Sequence, residues 1–64
     1  MNFDVFNLKV GMSVVINGKK GTINGNERSR SKIIFNPHMS YTEEPIHYQD
    51  VRSVKILKYE TEML

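Results

Sequence analysis

Residues 12–24 read Met12-Ser13-Val14-Val15-Ile16-Asn17-Gly18-Lys19-Lys20-Gly21-Thr22-Ile23-Asn24. Met12 to Ile16 is rich in β-branched side chains, which suit a pleated, half-buried surface. Asn17-Gly18 closes the run. Asn-Gly is the strongest short hairpin signal, because both central positions of a type I′ turn need positive φ. The loop is either Asn17-Gly18 itself or extends through Lys19-Lys20 to Gly21, and Thr22-Ile23-Asn24 follows as a second strand, cut short by Gly25-Asn26. This stretch predicts an antiparallel hairpin, and the remaining segments are placed around it.

Upstream, residues 1–12 form a lead-in with apolar Phe3, Val5, Leu8 and Val10, too short for a dependable helical stripe. Downstream, residues 25–31 (Gly-Asn-Glu-Arg-Ser-Arg-Ser) contain no apolar side chain and read as an exposed loop. Lys32-Ile33-Ile34-Phe35 is a third strand, closed by Asn36-Pro37, since proline cannot donate to a ladder. A connection over 36–45 leads to a fourth strand at Ile46-His47-Tyr48-Gln49. A tight turn at Asp50-Val51-Arg52 leads to a last strand at residues 53–59. Alternation places Phe35 in the core, Tyr48 inward or half-buried and His47 outward. Residues 60–64 are expected to fray.

Five short strands in one 64-residue chain predict an all-β domain spanning 1–64. At this length a small five-stranded barrel is the expected closure, and closure removes exposed sheet edges. The chain has no cysteine, which excludes disulfides and thiolate zinc sites and fits a cytoplasmic setting. No run of about 20 apolar residues is present to span a membrane.

The segment Val10-Gly11-Met12-Ser13-Val14-Val15-Ile16-Asn17-Gly18-Lys19-Lys20-Gly21-Thr22-Ile23 resembles the opening of SH3-like barrels of the KOW and Tudor types. Tyr48-Gln49-Asp50-Val51-Arg52-Ser53-Val54 resembles their closing segment, a strand, one helical turn and a final strand. The resemblance covers residues 10–58 and implies a five-stranded SH3-like barrel, proper to about 10–59. It implies no particular function.

Net charge is only +2, from 9 Lys and Arg against 7 Asp and Glu. Between Lys19 and Lys32, however, Lys19, Lys20, Arg28, Arg30 and Lys32 face only Glu27, five minus one, or +4. If these basic loops share one side they would meet phosphates, with Tyr41 or His47 stacking on bases. A nucleic-acid-associated binding module is therefore the leading expectation. The alternative is a protein-interaction module or small regulatory or inhibitor protein, of the kind phages and plasmids encode as accessories. It would use Phe3, Phe6, Met39 and Tyr41 as its contact surface, with self-association as one way to cover them.

Catalysis is not expected. No nucleophile elbow or phosphate-loop spacing occurs, and Glu43-Glu44 are sequence neighbours whose side chains point apart in an extended loop. A barrel this small has little room for an enclosed small-molecule substrate. His38, Glu43, Glu44 and His47 match no metal-ligand spacing, so no metal or other cofactor is expected.

Overall fold

A computed structural model of the chain describes residues 5–59. Phe3 and the segment 60–64 lie outside the described residues. The protein is all-β. Five antiparallel strands, β1 (Met12–Ile16), β2 (Lys19–Glu27), β3 (Lys32–Pro37), β4 (Glu44–His47) and β5 (Val54–Tyr59), form one sheet in the order β4-β3-β2-β1-β5. Three 3-10 turns punctuate it at Val5–Asn7, Arg28–Arg30 and Tyr48–Asp50.

The β1–β2 hairpin forms as its sequence dictates. Ile16 pairs with Lys19, leaving the two-residue turn Asn17-Gly18, with φ of 53° and 83°. Asn17 also ties this turn to the far end of the chain. Its Nδ2 donates to Asp50 O (2.9 Å), and its Oδ1 accepts from the backbone N–H of Arg52 (2.7 Å) and Ser53 (3.1 Å). Replacing Asn17 with Gly keeps the backbone conformation and removes only these bonds. Because they are exposed, urea unfolding is expected to show a loss of about 1 kcal/mol. An unchanged midpoint would mean that the side chain is not the tether.

β2 is longer than its sequence suggests. Gly25 and Asn26 do not break it: Gly25 pairs with Ile34, Asn26 with Ile33 and Glu27 with Lys32. The register shifts between Ile23 and Gly25, so Asn24 is the extra residue of a bulge. β1 pairs with residues 19–22 of β2, and β3 with residues 21–27, so β2 links two three-stranded halves. Of the expected loop at 25–31, residues 25–27 are strand, and the chain turns only over Arg28–Ser31, with Arg28–Arg30 as a 3-10 turn.

The core is small and draws on all parts of the sheet. Leu8, Val14, Ile16, Ile23, Ile33, Phe35 and Val51 are buried, with Val5, Met12, Ile46, Tyr48 and Val54 packed against them. Phe35 is fully buried, as expected. The last bond of the β3–β4 pairing runs from the Tyr48 N–H to Ser31 O (2.8 Å), in register with Lys32–His47, and the chain turns away before Gln49. The 3-10 turn thus falls at Tyr48–Asp50, ahead of the expected Asp50–Arg52, and seats Val51 in the core.

Among the described residues the end strands β4 and β5 share no ladder, so hydrogen bonds do not close the sheet. Both edges are blunted instead. β4 carries Pro45, and β5 carries Lys55, Lys58 and a bulge against β1. Prolines, lysines and bulges are the usual means of discouraging edge-to-edge pairing. No helix among the described residues is long and apolar enough to cross a membrane.

Candidate nucleic-acid interface

The five cations singled out by sequence do not form one patch. Lys19 and Lys20 begin β2, whereas Arg28 and Arg30 follow its end and Lys32 starts β3. Eight residues separate Lys20 from Arg28, on the order of 25 Å along an extended strand before bulge and curvature shorten it. The hairpin turn and the Arg28–Lys32 group therefore lie at opposite ends of β2.

The group at the far end of β2 is also engaged internally. Arg28 Nε donates to Phe6 O (3.0 Å). Arg30 and Lys32 both approach Glu27 Oε1 at 3.8 Å. That oxygen is buried without a hydrogen bond, so the two cations compensate its charge at a distance. His47 is exposed and pairs with Lys32 in the β3–β4 ladder, so it belongs to this end as well.

Near the hairpin the arrangement differs. Gly21 and Ile23 are buried, so Lys20 and Thr22, alternating with them, face outward. Lys20 pairs with Val15, and Val15 pairs with Lys55. The three make a row across the outer face, with the two lysines separated by two strand spacings, about 10 Å. In the adjacent row Thr22 pairs with Ser13, and Ser13 with Lys58. Thr22 also pairs with Asn36 on its other side. His38 extends the first row, its N–H donating to Lys20 O (2.8 Å). Arg52 stands beside the hairpin turn through its bond to Asn17.

The outer face of β5-β1-β2 is therefore a basic surface bearing hydroxyl and amide groups, with half-buried Val15 in its middle. Its acids are peripheral. Glu44 pairs with Lys19 at 3.7 Å, and Glu43 accepts from Asn24 Nδ2 at 2.9 Å. Asp50 is exposed beyond the hairpin turn. Sequence reasoning found Lys20 but missed Lys55, Lys58 and Arg52. They lie far away in the chain and reach Lys20 only through the β1–β5 register.

Tyr41 and Met39 lie on the β3–β4 connection and are 103% and 88% exposed. Phe6 is 49% exposed, its ring tilted at 43° against Tyr48 with centroids 5.1 Å apart. The Phe6 carbonyl accepts from Arg28 at the far end of β2, whereas Met39 and Tyr41 belong to the β3–β4 connection. Among the described residues no three His, Asp or Glu side chains come together as a metal-binding group. In comparisons with protein-family models, with curated proteins and with solved structures, nothing matches this chain.

Proposed function

We propose that this chain is a non-catalytic binding module of the SH3-like type, related in architecture to KOW and Tudor barrels, that binds nucleic-acid backbone on the outer face of β5-β1-β2. The strand order and the 3-10 turn between β4 and β5 support the architectural reading. The observation that carries the function is the Lys20–Val15–Lys55 row, where two exposed cations flank one strand with no acid between them. Lys58 and Arg52 extend the positive field, and Ser13, Thr22 and Asn36 offer hydrogen bonds to phosphate or sugar. Such contacts position a backbone and carry little sequence information.

A double substitution, Lys20→Gln with Lys55→Gln, is expected to weaken binding of a labelled oligonucleotide roughly tenfold at low salt. It should also flatten the salt dependence, because each lost phosphate contact removes about 0.7–0.9 from the slope of log affinity against log salt. Arg30→Gln with Lys32→Gln, at the other end of β2, should change affinity by less than about twofold, because Glu27 already holds both cations. Fluorescence anisotropy at two salt concentrations checks both. Absence of binding by the parent protein at low salt would end this reading.

A second reading has its own observation. The nearly full exposure of Met39 and Tyr41 on one short loop suits a protein partner, since Met and Tyr are enriched at interfaces. If Met39→Ser with Tyr41→Ser abolished function in cells while the lysine pair proved dispensable, a protein partner would be favoured.

A further inference from the structure

Resting on the proposed nucleic-acid reading and deepening it, the geometry points to single-stranded nucleic acid as the ligand, with Tyr41 stacking on a base while Lys20 and Lys55 hold the neighbouring phosphates.

The loop that carries Tyr41 stands on the rim of the basic face. One foot is His38, bonded through its N–H to Lys20 O (2.8 Å). The other is Glu43, bonded to the Asn24 side chain of the same β2 strand (2.9 Å). Tyr41 lies between these feet, at the margin of the surface that bears Lys20.

The loop is built to hold this tip. Ser40 N–H donates to Pro37 O (3.1 Å), and Met39 makes the bend with φ of 68°. Ser40 Oγ accepts from Thr42 N–H (3.2 Å) and donates to Thr42 O (3.2 Å). Tyr41 is thus bracketed by two residues bonded to each other, and its ring is presented to solvent with its backbone already fixed. Preorganisation lowers the ordering cost of binding.

Ligand chemistry decides between strand types. A duplex presents phosphates but keeps its base faces stacked inside, so it offers the exposed ring nothing to cover. A single strand offers both a phosphate track and free base faces, and an aromatic platform beside a cationic groove is the way such strands are held.

The test is anisotropy at low salt with three labelled probes of equal length: single-stranded DNA, single-stranded RNA and duplex DNA. The parent protein is expected to bind the single strands at least fivefold more tightly than the duplex. Tyr41→Ala should weaken single-strand binding roughly tenfold and leave the duplex unchanged, whereas Tyr41→Phe should retain single-strand binding. Tyr41 is fully exposed, so circular dichroism should report the same fold for both variants. Equal affinity for duplex and single strand, or no effect of Tyr41→Ala, would overturn this inference and leave the phosphate reading intact. No binding to any probe would overturn both.

Discussion

A Gly21→Ala variant is expected to be largely unfolded or to melt about 15 °C below the parent, because its new methyl group has nowhere to go. Gly21 is buried where β2 meets β3, paired with Pro37. A Cβ at this position would overlap the carbonyl oxygen of Asn36 and come 2.6 Å from Cζ of Phe35. One obstacle is backbone held in a ladder, and the other is a fully buried ring. Neither yields cheaply in a close-packed core, and overpacking of this kind costs about 3 kcal/mol. A 64-residue domain has only about 3–10 kcal/mol in total. Gly18 provides the contrast. A Cβ there meets nothing within 4 Å, so Gly18→Ala carries only the strain of φ at +83°, about 1–2 kcal/mol. Urea unfolding followed by far-UV circular dichroism separates the two. A Gly21→Ala midpoint within experimental error of the parent would show that β2 and β3 do not approach this closely. Because Lys20 and Thr22 flank Gly21, the same approach underlies the basic face.

The parts of this fold that sequence made legible are those decided by local chemistry. Asn17-Gly18 demanded positive φ and marked the β1–β2 turn, although β2 begins at Lys19, ahead of the expected Thr22. Pro37 marked the end of β3, whereas Pro45, which the sequence placed in the connection 36–45, lies inside β4 and pairs with Ile34. The parts that escaped are decided by contacts distant in the chain. Gly25 and Asn26 look like strand breakers because glycine lacks a packing side chain and asparagine competes for backbone bonds. Here the Asn26 side chain is satisfied by the lead-in segment instead, and the backbone stays in the ladder. The same distinction explains the site. Arg28, Arg30 and Lys32 are conspicuous in the linear sequence, yet folding gives them internal partners. Lys55 becomes a neighbour of Lys20 only when β5 docks on β1, and no local pattern encodes that register.

Asn26 is the other position where a single side chain is expected to decide stability. Its Nδ2 donates to Val5 O (2.9 Å) and Leu8 O (2.8 Å), with a longer contact to Phe6 O (3.3 Å). Its Oδ1 accepts from the Tyr48 hydroxyl. One amide therefore joins the lead-in segment, the β2 strand and the third 3-10 turn, and Leu8 beneath it is core. Asn26→Ala leaves three polar partners short of a bond at a partly buried site, and each costs about 1 kcal/mol, so a loss of about 3 kcal/mol is expected. Asn26→Asp should be at least as damaging, because it replaces the donor with a carboxylate facing backbone carbonyls. Tyr48→Phe removes one bond and keeps the ring against Phe6, so it should cost only about 1 kcal/mol. In the Asn26→Ala background that cost should fall towards zero, a coupling that a double-mutant cycle in urea measures directly. Additive losses would show that Asn26 and Tyr48 act separately and that the lead-in is held by other means. Asn26 lies at the far end of β2 from Lys20. Its removal should therefore lower the folded fraction without changing the affinity of the protein that remains folded, whereas the Lys20 and Lys55 substitutions should do the reverse.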